Sequence, residues 1–143
     1  EFLDEKNVEK LVGDCDIIID ALDNIVSRII LSRFAKENDI PLIHGAIHGT
    51  LGEISVFTKD SKSYEEVLAL PSAGKDLNDD VIKEVQSLSH EVPPVIGPVP
   101  NIIGALEAFE AFKYVTGVGE VLLAPKILKF DLLNLNSFLT VEL

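Results

Sequence analysis

The chain has 143 residues, 12 Lys plus Arg against 24 Asp plus Glu, a formal net charge of −12 and 47% hydrophobic residues. That length accommodates one domain over residues 1–143 with a buried core, and the apolar fraction excludes a disordered acidic tail. The charge argues against a nucleic-acid-binding surface and against attraction to an anionic membrane, while a single Cys excludes an intrachain disulfide framework and a Cys-x-x-Cys zinc site.

Asp4 is placed to cap a short helix over 4–12, with Val8, Leu11 and Val12 as its apolar stripe and Gly13 as its stop. Cys15 to Leu22 is a nearly continuous apolar run of strand length, the pattern of a buried parallel strand, with Cys15 as a small buried hydrophobe at its start. Ile25 to Glu37 reads as a helix, with Ile25, Ile29, Ile30, Phe34 and Ala35 inward and Asn38-Asp39 at its end. A second apolar strand follows from Leu42 to Ile47. Strand, helix and strand with short joins make a right-handed parallel crossover. Leu51 to Thr58 follows after only His48-Gly49-Thr50, so it pairs antiparallel.

Residues 59–97 hold short helices near 64–70 and 78–88, then an extended loop in which Pro93-Pro94, Pro98 and Pro100 bracket Gly97. Asn101 to Thr116 is the clearest helix, with Ile102, Leu106, Phe109 and Phe112 on one side, small residues at Gly104, Ala105, Ala108 and Ala111, and Gly117 at its exit. Lys126 to Leu132 and Ser137 to Leu143 read as two strands joined by a turn around Asn134 and Asn136. The pattern is an α/β domain whose sheet is parallel on one side and antiparallel on the other. Neither GxGxxG nor GxxxxGK[ST] occurs in it.

Ala21-Leu22-Asp23-Asn24 with Arg28 is the strongest candidate site, because it lies at the carboxyl end of the first strand, where open α/β sheets bind ligands. A carboxylate there can hold magnesium, Asn24 can donate to a phosphate or ribose, and Arg28 can reach an anion or clamp Asp23. The simpler alternative, which spacing alone favours, is a helix N-cap at Asp23 or Asn24. His44 and His48 share a face of a strand, but a metal site there lacks an evident third ligand beyond His90, and packing histidines are the simpler reading. Glu110 and Lys113 make an ordinary surface pair unless something buries them, Glu107 lies on the same helix, and Asp76 to Glu84 is a solvated face.

Asp16-Ile-Ile-Ile-Asp-Ala-Leu-Asp-Asn-Ile-Val-Ser-Arg28 resembles the strand–loop–helix of the ThiF/MoeB/HesA family, relatives of ubiquitin-activating enzymes. Its D-x-x-D-N-x-x-x-R pattern is matched by Asp20, Asp23, Asn24 and Arg28. Ile40 to Ile47 with Gly52 to Phe57, Val95 to Val99 with Gly104 to Lys113, and Lys129-Phe-Asp131 with the strand after it resemble the family's later segments in order. The resemblance implies a Rossmann-like three-layer fold, here partial. It implies ATP and Mg2+ as cofactors, with Asp23 as the catalytic magnesium ligand, Ala21, Leu22 and Asn24 lining the nucleotide, and Arg28 bracing the loop. It also implies a small ubiquitin-like sulfur-carrier protein as partner, its C-terminal glycine activated as an acyl-adenylate, and a homodimer.

The family's glycine-rich turn and phosphate-binding residues lie before the matched segments. Together with the absence of Met, this leads us to expect the C-terminal part of a longer chain, inactive in adenylation by itself. An incomplete sheet leaves an unpaired edge and a bare apolar face, which favours association. The family's Cys-x-x-Cys pairs are absent, so no zinc is expected, and His90 stands where many relatives carry a reactive cysteine. The cytoplasm is the expected compartment. Two other readings stay open: a non-catalytic partner-binding module of the same fold, and a Rossmann-like NAD-dependent enzyme.

Overall fold

The structure, a computed structural model, describes residues 2–88 and 94–143. Its centre is a five-stranded sheet in the order β1 (Ile18–Asp20), β2 (Leu42–His48), β3 (Leu51–Phe57), β4 (Lys126–Asp131) and β5 (Asn134–Glu142). β1 and β2 are parallel, joined by helix α2 (Ile25–Glu37), and every later pairing is antiparallel. Connection lengths dictate the first two of these pairings. A whole helix separates β1 from β2, whereas two residues separate His48 from Leu51, with Gly49 at a φ of 63° in the turn.

Alternation along the strands divides the core. Ile18, Leu42, Phe57 and Ile127 face α2, where they meet Ile29, Ile30, Leu31 and Ala35. Ile43, Ile54 and Val56 face the other way, onto Leu106 and Ala111 of helix α5 (Pro98–Thr116). Helices α1 (Val8–Val12), α3 (Tyr64–Val67) and α4 (Asp79–Gln86) add to the α2 layer. The result is the expected mixed α/β, three-layer architecture. Because both faces are covered, all four residues from Ile54 to Phe57 are buried, and β3 does not show the half-exposed alternation its sequence pattern resembles.

Several elements differ from expectation for local reasons. α1 starts at Val8, since Asp4 Oδ1 accepts from the Lys6 and Asn7 backbone N–H groups and so builds the turn before the helix. β1 is three residues long and Cys15 is exposed, not buried, because the segment before Ile18 bends back so that Cys15 N–H donates to Val12 O. α5 starts at Pro98 with Gly97 as its cap, so Pro98 and Pro100 belong to the helix and not to an extended loop. Proline suits this first turn because backbone N–H groups there have no helical partner. Pro93 and His90 lie outside the described residues.

The inward face of α5 is also rotated. Val99, Ile103, Glu107 and Glu110 are buried, whereas Phe109 and Phe112 are 61% and 49% exposed. Asn134 and Asn136 lie inside β5, and the turn falls at Leu132-Leu133, closed by Asp131 Oδ1 accepting from Leu133 N–H.

Two cross-strand neighbours on one face, one on the edge strand β1 and one on β2, give a direct test of this burial. Ile43 sits fully buried between β1 and β3, while its cross-strand neighbour Ile19 is 46% exposed. Ile43→Ala is expected to cost about 2–5 kcal/mol in urea unfolding, and Ile19→Ala within about 0.5 kcal/mol of the parent.

Candidate functional site

The loop after β1 is built around a buried carboxylate. Asp20 is 2% exposed; its Oδ1 accepts the Leu22 N–H at 2.9 Å, and its Oδ2 lies 2.7 Å from His44 Nδ1 on β2. Parallel pairing puts these two residues in register, so the contact follows from strand alignment. An ionised carboxylate only accepts, so the Nδ1–H of His44 donates. From the first turn of α2, Arg28 Nε approaches Asp20 Oδ2 at 3.3 Å, and Arg28 Nη2 donates to Leu22 O at 2.5 Å and Gly45 O at 3.0 Å. Arg28 therefore clamps Asp20 and the loop backbone, not Asp23.

The neighbouring residues divide sharply in role. Asn24 caps α2, its Oδ1 accepting the Ser27 N–H at 2.8 Å, which settles the N-cap alternative in favour of Asn24. Ala21 and Asp23 are exposed and Leu22 is half-buried. The Asp23 carboxylate has no hydrogen bond or ion pair among the described residues and stands at the carboxyl end of β1. The loop is thus pinned at Leu22 and Asn24 and presents Asp23 to solvent between them.

Aromatic and acidic groups close the cluster. Tyr64 and Phe57 meet the His44 ring edge-on, with centroids at 4.9 Å and 6.2 Å. Burial pushes the Tyr64 hydroxyl up to about 12, and the Arg28 charge opposes that rise. Across the sheet, burial pushes the Glu107 carboxyl up to about 7; the Asp20 charge adds to the rise and Arg28 opposes it. His44 Nε2, Arg28 Nε and Glu107 Oε1 are buried with no hydrogen-bond partner among the described residues.

Glu110 and Lys113 form a 2.5 Å pair that is mostly buried, contrary to the surface pair read from their spacing. Glu110 Oε2 accepts the Leu122 N–H and Lys113 Nζ donates to Glu120 O, so the pair ties α5 to the chain entering β4. His44 and His48 share a face of β2, but a separation of four strand residues is about 13 Å, too far for one metal. His44 is moreover buried against Asp20, while His48 is exposed. Among the described residues no three His, Cys, Asp or Glu side chains converge as a metal site.

The sequence singled out the loop, placed Asp20 in the motif and favoured a packing role for His44, which is indeed buried, but it did not pair Asp20 with His44 and gave no role to Tyr64 or Glu107. For that pair a signal existed: one ionisable residue inside each of two adjacent apolar strands. Tyr64 and Glu107 had none, because each comes from an element distant in the chain.

The sequence profile of the ThiF family matches residues 1–143. The chain belongs to the ThiF family. It is 34% identical over 132 residues to a probable molybdopterin-synthase adenylyltransferase of Gracilaria tenuistipitata var. liui, covering 92% of this chain and 34% of that protein. It is 28% identical over 140 residues to the SAMP-activating enzyme E1 of Haloferax volcanii, covering 97% of this chain and 47% of that enzyme. Across eight such curated relatives the chain spans 24% to 51% of their length.

The fold is similar to that of E. coli MccB crystallised with ATP, at a TM-score of 0.70 and 18% identity, covering 100% of this chain and 40% of that one. The PaaA structure gives a TM-score of 0.61 at 20% identity, with 98% and 38% covered. For this member of the ThiF family, the division of labour in the loop predicts unequal responses to two adjacent substitutions. Asn24→Ala is expected to lose about 1 kcal/mol of stability with the cap, and Asp23→Ala to stay within about 0.5 kcal/mol, both by denaturant titration.

Proposed function

We propose that this chain is part of an enzyme that uses ATP and Mg2+ to activate the C-terminal glycine of a small ubiquitin-like sulfur-carrier protein as an acyl-adenylate. The observation that carries this reading is the uncommitted Asp23 carboxylate, held out between two residues, Leu22 and Asn24, that are both engaged by the fold. Membership of the ThiF family and relatives named as adenylyltransferases support it. Asp23 fits magnesium: it is a hard oxygen donor at the carboxyl end of a strand. Magnesium takes one or two carboxylates and completes its shell with water and phosphate oxygens. When bound, it would offset the repulsion between a carboxylate nucleophile and the α-phosphate.

The chain's own residues do the positioning. Asp20, through Leu22 N–H, and Arg28, through Leu22 O, fix the backbone on one side of Asp23, and the Asn24 cap fixes it on the other. Holding a ligand in place beforehand is what a site must do if it is to lose no binding free energy to ordering. Ala21 and the Leu22 side chain offer the nucleotide an apolar edge. Arg28 spends its Nη2 group within the fold and braces the loop, and Asn24 Oδ1 is likewise spent on the cap, leaving its amide group for the nucleotide.

The carrier's identity and the pathway follow from the whole protein, of which this chain is 24% to 51% if its length matches the relatives. No helix among the described residues is long and apolar enough to cross a membrane, and the proposed compartment is the cytoplasm. A homodimer is part of the reading. The outward face of α5 carries Gly104, Ala105, Ala108, Phe109, Phe112 and Val115, all exposed and all uncharged. An exposed run of small and aromatic side chains without a charge favours cover by another surface.

Two outcomes are expected. Carrier-dependent ATP–pyrophosphate exchange is absent for residues 1–143 alone. It is present when they follow an intact glycine-rich nucleotide-binding segment, and there Asp23→Ala lowers it at least about 100-fold with the fold retained by circular dichroism; exchange by 1–143 alone or full activity of the variant counts against the reading. Light scattering at micromolar concentration shows a dimer, and Phe109→Glu with Phe112→Glu shifts it to monomer; a monomeric parent rejects the association.

A further inference from the structure

α5 crosses β2 with Glu107 pressed onto Gly45. A Cβ at Gly45 would stand 2.5 Å from both Glu107 Oε1 and Ile103 Cγ2, so the absence of a side chain is what admits the carboxyl to the strand backbone. Glu107 is 4% exposed, its Oε1 has no partner among the described residues, and the proposed reaction gives it no part. The carbonyl of the same Gly45 accepts from Arg28 Nη2, which also holds Leu22 O. Direct contacts therefore run from α5, through one glycine of β2, to the loop that presents Asp23.

We propose that Glu107 is a positioning residue for the 21–24 loop: as a neutral acid it seats Gly45 and, through the Gly45 carbonyl, the Arg28 guanidinium that holds Leu22. A buried carboxyl with a bare oxygen is tolerated neutral and strongly disfavoured when ionised. Ionisation adds a second negative charge near Asp20, competes with it for Arg28 and weakens the hold on Leu22 O. Burial already pushes this carboxyl up to about 7, with Asp20 adding to the rise and Arg28 opposing it. The other titratable and charged groups on the elements around it are His44 and His48 on β2, Glu53 on β3 with its partner Lys129 on β4, and the Glu110–Lys113 pair on α5 itself. His44 is turned to the α2 face, against Tyr64 and Asp20.

The inference uses the functional reading only in regarding 21–24 as the nucleotide loop. Its test observes the loop itself, so it can fail while that reading stands, and the reverse. The 143-residue chain, labelled with 13C and 15N, is titrated from about pH 5 to about pH 9. The Glu107 carboxyl resonance and the amide resonances of Leu22, Asp23 and Asn24 are expected to shift with one common midpoint near 7. In Glu107→Gln the loop amides keep their low-pH positions throughout.

Stability gives a second readout. The folded carboxyl keeps its proton between about pH 4.5 and about pH 7, where the unfolded chain has lost it, so the folded state binds more protons there. The parent's urea midpoint therefore falls across that window more than that of Glu107→Gln. A Glu107 carboxyl that titrates in the ordinary carboxylate range overturns the proposal. So does a loop midpoint that persists in Glu107→Gln, which would assign the motion to a histidine. Should Glu107→Gln fail to fold, agreement or disagreement of the two midpoints in the unsubstituted chain decides.

Discussion

The buried carboxylate of Asp20 is the constraint on which the rest of the site depends. Taken out of water, it needs every lone pair answered, and breaking such a pairing by removing one partner costs about 3–5 kcal/mol. Each answer comes from a different part of the chain: the loop that follows it, a histidine on the next strand and an arginine on the crossover helix. Satisfying one charge thus ties β1, β2 and α2 together where the parallel strands end. Asp23, three residues on, is then free to face solvent without the loop being free to move.

Sheet geometry makes that economy available. Parallel strands joined by a helix leave their carboxyl ends open, and in-register pairing sets Asp20 beside His44 with no loop rearrangement. The antiparallel strands that follow serve a different end. They extend the apolar platform under α5, and Gly52 lets the Phe130 ring lie across β3 much as Gly45 lets Glu107 lie across β2. Both glycines are places where a neighbouring side chain occupies the space of a missing Cβ.

How legible this was differs by element. α2 is found where its periodicity and its asparagines put it, from Asn24 to Asn38, because cap, apolar stripe and terminator all lie within one stretch. The antiparallel pairing of β3 on β2 was legible for the same kind of local reason, a connection too short for a crossover, whereas the placement of β4 beside β3, across residues 58–125, was not. α5 was legible as a helix but not in its orientation. Apolar periodicity favours the side of Ile102, Leu106, Phe109 and Phe112, and it cannot foresee a buried face that includes Glu107 and Glu110. Glu107 and Glu110 point inward because Gly45 makes room for one and Lys113 with the Leu122 N–H satisfies the other.

The sequence by itself determined the α/β class, the parallel-to-antiparallel sheet, the kinship with the ThiF family and the segment from Ala21 to Arg28 as the place of interest. All of these rest on contiguous patterns or on motifs within a few residues. Only the tertiary structure decided which residues of that segment are spent on the fold and which is left to act. The Arg28 Nη2 group and the Asn24 Oδ1 are consumed, the Asp23 carboxylate is not, and the groups that make the difference, His44, Gly45, Tyr64 and Glu107, arrive from β2, α3 and α5. The physical reason is that burial and pairing of a charge depend on neighbours in space, and nothing in the local spacing of Asp20, Asp23, Asn24 and Arg28 specifies who those neighbours are.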